Sequence, residues 1–143
     1  MKTIYVAGPM RGLPQFNFPL FDAVSAALRE RGYTVISPAE QSAPAIRAKS
    51  LASATGIFTD DMAKDESVGT ILGRDTRIVI DDITDIALLP GWEKSTGARL
   101  EVCVGLLHGK GFYWVHYAGT SDSLVVESFP RDIVLEKFRG AVK

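Results

Sequence analysis

The sequence is poor in the two residue types that most often bind metals or form cross-links. It has one cysteine, Cys103, and two histidines, His108 and His116. A single cysteine excludes a disulfide within the chain, and no Cys/His cluster has metal-ligand spacing. Cys103 lies in an apolar stretch and is interpreted as a small buried hydrophobic residue. No Ser-His-Asp set is apparent, and we expect neither a metal nor another cofactor.

Long apolar runs and an excess of charge of one sign are also missing. No stretch approaches the roughly 20 apolar residues of a membrane span, and the first apolar run is too short for a signal peptide. The formal net charge of −1 argues against a nucleic acid polymer as partner but allows a small phosphorylated ligand. The phosphate-binding patterns G-x-x-x-x-G-K-[ST] and G-x-G-x-x-G are absent. We expect a cytoplasmic protein with no membrane partner.

The chain does contain short apolar strands that alternate with amphipathic helices. Its 143 residues, 46% of them hydrophobic, suffice for one domain over 1–143. Strands are predicted at Thr3–Ala7, Tyr33–Ile36, Ile86–Leu89 and Phe112–Tyr117, with a short one at Leu124–Val126 after a turn at Gly119–Ser123. Helices are predicted from an N-cap at Asn17 to Gly32, at Val68–Ile80, from Ser95 or Thr96 to His108, and at Ser128–Gly140. Ile78, Val79 and Ile80 also suit a strand. This order predicts an α/β three-layer sandwich, flavodoxin- or Rossmann-like, with a mainly parallel sheet of four to five strands.

The region between the second strand and the helix at Val68–Ile80 has the weakest pattern. Ala43–Ala54 is predicted as a helix of low amphipathicity. The charged run Asp60–Glu66 is predicted as a solvated face or a loop. The pattern indicates no role for residues 42–67.

Three loops leave the carboxyl ends of predicted strands, where open parallel sheets bind their ligands. They span residues 8–16, 37–41 and 90–96. The first offers backbone N–H groups and Arg11, and the last leads into a helix N-terminus, which favours anions. In the alternative interpretation, the glycines and prolines of these loops only form turns between helices and strands.

Glu101 is the most unusual residue of the sequence. It lies in an apolar helix within LLPGWEKSTGARLEVCVGLLHGK, residues 88–110. None of its helical neighbours three or four positions away can pair with an acid. These neighbours are Gly97, Ala98, Val104 and Gly105. Because buried acids are rare unless paired, Glu101 either has a partner on another element or acts as a nucleophile or general base.

Three motifs resemble those of a known family. They are YVAGPMRG at the first strand, Ser-Pro-Ala-Glu after the second, and LPGW-x-x-S-x-G-A-x-x-E up to Glu101. Over most of residues 3–112 the chain resembles the nucleoside 2-deoxyribosyltransferase superfamily, most closely its phage- and prophage-associated branch of uncharacterised domains. The resemblance implies that Glu101 is the nucleophile that attacks C1′ of a 2-deoxyribonucleoside. It also implies an assisting aspartate among Asp75, Asp82 and Asp85. We favour Asp75 on the branch's Arg-Asp pattern, because Asp85 opens the third strand at the far end of the sheet.

The same resemblance implies a set of substrate-binding residues. Tyr5 matches a strand aromatic that lines the nucleoside site of the transferases. The deoxynucleoside 5′-monophosphate N-glycosidases of the superfamily hold the phosphate with a G-S-x-R-G loop and a Ser-x-Gly segment. Here Pro9 replaces the loop serine, which removes a hydroxyl and an N–H donor. Trp92 is expected to stack on a base, or else to cover the core or a dimer contact. The implied set is Tyr5, Gly8, Met10, Arg11, Gly12, Glu40, Gly91, Trp92, Ser95 and Gly97.

The leading hypothesis is cleavage or transfer of the N-glycosidic bond of a 2′-deoxynucleoside or its 5′-monophosphate. The reaction would pass through a covalent glycosyl-enzyme on Glu101, with water or a second base as acceptor. The alternative is a non-catalytic nucleotide sensor on the same fold. A response-regulator-like domain is disfavoured because the first and third strands end in Ala-Gly-Pro and Leu-Leu-Pro-Gly rather than in acids. The resemblance also implies a homodimer or larger homo-oligomer.

Overall fold

Five strands form one sheet in the computed structural model, which describes residues 1–117 and 123–143. They are β1 (Thr3–Ala7), β2 (Thr34–Ile36), β3 (Asp85–Leu88), β4 (Gly111–Tyr117) and β5 (Leu124–Ser128). The order is β2-β1-β3-β4-β5, and only the β4–β5 pair among these strands is antiparallel. The mainly parallel sheet predicted from the sequence is confirmed. The predicted turn at Gly119–Ser123 falls largely on residues 118–122, which lie outside the described residues.

Seven α-helices connect and cover these strands in the described ranges. They are α1 (Phe18–Glu30), α2 (Pro38–Gln41), α3 (Pro44–Ala52), α4 (Asp60–Asp65), α5 (Val68–Asp81), α6 (Thr96–Leu107) and α7 (Arg131–Ala141). Short 3₁₀ turns at Pro14–Asn17 and Trp92–Lys94 precede α1 and α6. Within the part of the chain that the structure describes, none of the helices has both the length and the apolar character needed to cross a membrane.

Three local predictions need correction. For the charged run that begins at Asp60, the solvated-face alternative is confirmed and the loop alternative is wrong. Asp60, Asp61, Lys64 and Asp65 are exposed, but they lie on α4, which forms because the Thr59 side chain accepts a hydrogen bond from Met62 N–H and Met62 is buried. Asn17 does stand at the N-cap of α1, but its side chain donates to the Pro9 carbonyl and does not cap the helix. Cys103 is half-buried on α6.

The strands alternate their side chains between two helical layers. In β1, Ile4 and Val6 pack towards α1, while Tyr5 and Ala7 pack towards α5 and α6. β3 is buried on both faces over its whole length. This pattern is typical of a parallel sheet covered on both sides. The predicted three-layer sandwich is therefore confirmed.

A close approach between α6 and the sheet depends on Gly105. A Cβ atom at this position would lie 2.6 Å from Cδ1 of Ile86 on β3. Without a side chain there, α6 packs directly on β3. The helix thus holds Glu101, one turn earlier, against the sheet.

The strand order reverses between β1 and β3. The chain leaves β1 towards β2 on one side, and later returns to add β3 on the other, where Ala7 pairs with Leu88. Loops that leave such neighbouring carboxyl ends run to opposite faces and leave a crevice between them. The crevice lies between the loop after Ala7 and the loop after Leu88.

Candidate active site

A cavity of about 650 Å³ lies at this crevice. Its floor and near walls come from the loop after β1, the loop after β3, α5 and the start of α6. The opposite wall comes from residues 42–67, which we call the outer wall. The lining residues are Gly8, Pro9, Met10, Arg11, Leu13, Phe16, Phe18, Pro38, Ser42, Ile46, Ser50, Phe58, Met62, Val68, Ile71, Leu72, Asp75, Pro90, Gly91, Lys94, Ser95, Thr96, Gly97, Ala98 and Glu101.

The outer wall is attached to the loop after β1 by backbone hydrogen bonds. The N–H of Gly12 donates to the carbonyl of Gly56 over 2.9 Å, and the N–H of Gln15 donates to the carbonyl of Ser53 over 2.7 Å. Gly56 has φ +71°, and a Cβ there would lie 2.2 Å from the Leu13 carbonyl oxygen. Only glycine fits this contact without displacing the backbone. Residues 42–67, which had no predicted role, therefore form one side of the cavity.

Two acids and a tyrosine meet at the bottom of the cavity. Glu101 on α6 and Asp75 on α5 are 5% and 4% exposed, and Tyr5 on β1 is completely buried. The Tyr5 hydroxyl donates a hydrogen bond to Oε2 of Glu101. The missing partner of Glu101 is thus a residue on another element. All three side chains come from a central strand and two long helices, so their relative positions are held by the core.

Burial makes both acids hold their protons more tightly than exposed acids do. It raises the pKa of Glu101 well above its ordinary value, the charge of Asp75 raises it further, and the Tyr5 hydrogen bond acts in the opposite direction. Burial also raises the pKa of Asp75, against the effect of the neighbouring Arg74 guanidinium. Two nearby acids with raised pKa values lose their protons in separate steps. Such a pair can supply a carboxylate and a proton donor at the same pH.

The mouth of the cavity offers groups that favour an anion. The exposed cations Arg11 and Lys94 both contribute to the lining. Ser95 is the N-cap of α6, where its hydroxyl accepts from Ala98 N–H over 3.2 Å. Thr96 opens the helix, so its own N–H has no acceptor within α6. Cationic side chains and a helix N-terminus together suit a phosphate or carboxylate group.

Most of the residues implied by the resemblance come together here. Tyr5 donates its hydrogen bond to Glu101, and eight further residues of the implied site line the cavity. These are Gly8, Met10, Arg11, Asp75, Gly91, Ser95, Gly97 and Glu101. Asp85, set aside on its position, lies at the opposite end of the sheet beside Lys2, with 3.4 Å between Nζ and Oδ2.

Gly12, Glu40 and Trp92 do not line the cavity. Gly12 lies in the turn after β1, and its N–H donates to the carbonyl of Gly56 in the outer wall. Glu40 is exposed on α2, and Arg29 holds both of its oxygens, at 2.7 and 2.9 Å.

Trp92 is directed to the other side of its loop. Gly91, with φ +84°, starts the 3₁₀ turn that carries Trp92 into the core. Its indole is fully buried in the cluster that includes Val102 and Val134. The base-stacking interpretation of Trp92 is therefore wrong, and the core-covering interpretation is confirmed.

The sequence reasoning missed several residues of the site. Lys94 sits two residues after Trp92, and a cation before an N-cap serine was a signal that could have found it. The apolar wall of Phe58 and Met62 had no usable signal, because these residues lie in short helices and loops without clear periodicity. Glu66 and Arg74, which contact Asp75 or each other, were also missed.

Fold and site together define a class: an α/β protein with a cavity at its sheet switch point and a buried acid pair at the cavity floor. Comparison with known families matches residues 2–111 to the family described as "Domain of unknown function (DUF4406)". The match covers most of the chain, and the chain belongs to this family. It contains β1 to β3, α1 to α6 and every residue that lines the cavity. No curated protein matches the sequence.

Proposed function

We propose that this chain cleaves the N-glycosidic bond of a 2′-deoxynucleoside or its 5′-monophosphate. The observation that carries the proposal is the buried Glu101, hydrogen-bonded by Tyr5 and beside Asp75, at the floor of a cavity. It agrees with the resemblance to nucleoside 2-deoxyribosyltransferases, in which the corresponding glutamate is the nucleophile. A carboxylate close to the anomeric carbon is what retaining glycosyl transfer requires.

The reaction proceeds in two displacements. The Glu101 carboxylate attacks C1′, the C1′–N bond breaks with its electron pair left on the base, and Asp75 gives its proton to that base. Water then attacks C1′ and transfers a proton to the Asp75 carboxylate, while the C1′–O bond to Glu101 breaks. A second base replaces water when the product is a new nucleoside. The reactive form holds one proton in the pair, with Glu101 ionised and Asp75 protonated. The rate therefore rises as the pair loses its first proton and falls as it loses the second.

The substrate form that best suits the cavity is the 5′-monophosphate. Arg11 and Lys94 lie at its mouth with the N-terminus of α6, while the wall beyond the acids is apolar and includes Phe16 and Ile46. A phosphate at the mouth and a base against the apolar wall place the sugar between them, over Glu101. This order supports a nucleotide rather than a free nucleoside.

The test is incubation of the purified chain with the common 2′-deoxynucleosides and their 5′-monophosphates, with released base followed by chromatography. Release is expected from wild type and is expected to be lost in Glu101→Gln, which keeps the size of the side chain. Glu136→Gln, an exposed acid on α7, is the matched control and should retain activity. A 2-fluoro substrate analogue should leave a sugar on Glu101, detectable by mass spectrometry. Release that persists in Glu101→Gln would refute the nucleophile assignment.

A non-catalytic nucleotide sensor is the second candidate, and one observation favours it. The raised pKa of Glu101 means that this acid keeps its proton to higher pH than an exposed glutamate does, and a protonated acid is a hydrogen-bond donor rather than a nucleophile. Calorimetry that shows nucleotide binding by wild type, without base release at any pH, would decide for the sensor.

A homo-oligomer in the cytoplasm completes the proposal. Leu100 and Leu107, two turns apart on α6, are 39% and 78% exposed. An exposed apolar strip on a helix supports self-association. Size-exclusion chromatography with light scattering tests it, and a monomer at all concentrations would contradict it.

A further inference from the structure

We propose that Glu66 is a positioning residue which, through Arg74, determines whether Asp75 holds a proton, and so links the outer wall to the acid pair. The inference rests on the proposed function, in which Asp75 first donates and then accepts a proton. It concerns residues for which neither the sequence motifs nor the family description gives a role.

Glu66 contacts two separate parts of the chain. Its Oε2 accepts from Nη1 of Arg74 over 2.8 Å, and its Oε1 accepts from the backbone N–H of Ala43 over 3.2 Å. Glu66 follows α4, Ala43 precedes α3, and Arg74 lies on α5 next to Asp75. One carboxylate therefore joins both ends of the outer wall to the helix that carries Asp75.

Arg74 is shared unequally between two acids. Its distance to Glu66 is 2.8 Å, whereas its Nε lies 3.4 Å from Oδ1 of Asp75, at the limit of a hydrogen bond. Its remaining nitrogen, Nη2, is buried and has no hydrogen-bond partner among the described residues. The guanidinium therefore makes its shorter contact with Glu66 and its longer one with Asp75.

Asp75 and its two charged neighbours are largely shielded from water, so the contacts of Arg74 affect the pKa of Asp75. The side chains of Glu66, Arg74 and Asp75 are 16%, 21% and 5% exposed, so water screens their interactions weakly. Glu66 raises the pKa of Asp75, and Arg74 lowers it. The other charged or titratable groups that face Asp75 or line its cavity are Tyr5, Glu101, Arg11 and Lys94.

Removal of Glu66 and removal of Arg74 should therefore shift the pKa of Asp75 in opposite directions. Without the charge of Glu66, Arg74 is free to pair with Asp75, which then releases its proton at lower pH. At a given pH fewer molecules can then protonate the leaving base. Without Arg74, Asp75 lacks its cation and holds its proton to higher pH. A displaced outer wall would act like the first change, because it would withdraw Glu66 from Arg74.

Carbon-detected NMR of the Asp75 carboxyl group, assigned with Asp75→Asn, tests this in the full chain without substrate. The titration midpoint of Asp75 should fall in Glu66→Gln and rise in Arg74→Met, and Arg74→Lys should move it back towards wild type. Glu66→Gln keeps an oxygen that can accept from Ala43, so it changes charge more than structure. A midpoint that is unchanged or higher in Glu66→Gln overturns the inference, whatever the fate of the Arg74 variants.

The pH–rate profile provides the second measurement. The profile should move to lower pH in Glu66→Gln and to higher pH in Arg74→Met, whereas a purely structural role would lower activity without moving the profile in opposite directions. If no protein releases base but the NMR midpoints move as expected, the proposed reaction is refuted and the control of the Asp75 proton stands. If base is released and the midpoints do not move, only the role of Glu66 is refuted.

Discussion

Replacement of Glu101 by glutamine is expected to make the folded chain more stable at neutral and alkaline pH. Glu101 is buried, its hydrogen bond comes from Tyr5, and Asp75 lies nearby. Glutamine has nearly the same shape and can accept the same hydrogen bond through its amide oxygen. It never has to ionise in this environment.

The direction of the pKa shift decides whether the stability of wild type rises or falls with pH. The pKa of Glu101 is raised above 4.5 on folding, so the folded chain keeps a proton that the unfolded chain has released. This contribution to stability is complete below pH 4.5 and is lost as pH rises through the folded pKa. Within that window the free energy of unfolding of wild type falls by at most about 1.4 kcal/mol per pH unit. In a chain of 143 residues that corresponds to a decrease in Tm of about 5 °C per pH unit.

Thermal unfolding followed by circular dichroism between pH 4 and pH 9 measures the difference. Glu101→Gln should match wild type near pH 4, exceed it in Tm by an amount that grows with pH, and reach a constant difference above the folded pKa. Glu136→Gln, which removes an exposed acid, should follow wild type throughout. A Glu101→Gln variant that is less stable than wild type at pH 8, or a difference that does not depend on pH, would refute the reasoning.

Three further substitutions test the site. Tyr5→Phe removes the hydroxyl that lowers the pKa of Glu101. Urea unfolding should show a loss of about 1–3 kcal/mol, and the pH–rate profile should move to higher pH. Gly8→Ala puts a Cβ 2.6 Å from Cβ of Leu89, so it should destabilise the chain by about 1–3 kcal/mol in urea and weaken nucleotide binding; unchanged values would contradict the tight contact. Lys94→Ala should weaken the binding of a 5′-monophosphate by about two- to fivefold, as expected for an exposed ion pair, and leave nucleoside binding unchanged in calorimetry. An equal loss for both ligands would place the phosphate elsewhere.

The sheet and its long helices could be predicted because each has a strong local pattern. β1 and β3 consist mainly of apolar residues, and α6 follows Ser95, one of the two predicted N-caps. The position of the cavity also followed from the sequence, since ligands bind beyond the carboxyl ends of parallel strands. Once β1 and β3 are neighbours, the loops after Ala7 and Leu88 necessarily face each other.

The meeting of Tyr5, Asp75 and Glu101 could not be predicted from local pattern alone. The three residues lie on three elements, and their contact depends on how α5 and α6 pack side by side over β1. That packing is decided by small residues such as Gly105, which sets the distance between helix and sheet. Only the resemblance to a family had placed these three residues in one site.

The outer wall was unpredictable for a different reason. Its helices are short, and its buried residues, such as Ile46 and Met62, are separated by polar or charged positions. Their burial depends on α1 and on the loop after β1, which are distant in sequence. The direction of the Trp92 side chain could not be predicted either. It depends on the positive φ of Gly91, which reverses the direction in which a following side chain points.

The two sides of the cavity differ in secondary structure. The acids and Tyr5 stand on a strand and two long helices, whereas the facing wall consists of short helices joined by loops and held by a few backbone hydrogen bonds. Under the proposed function, substitutions in the facing wall that leave Glu66 and its contact with Arg74 intact can therefore change the choice of ligand without moving the reacting groups. Substitutions around Phe58 would change which base is accepted, and the reacting groups would stay where they are.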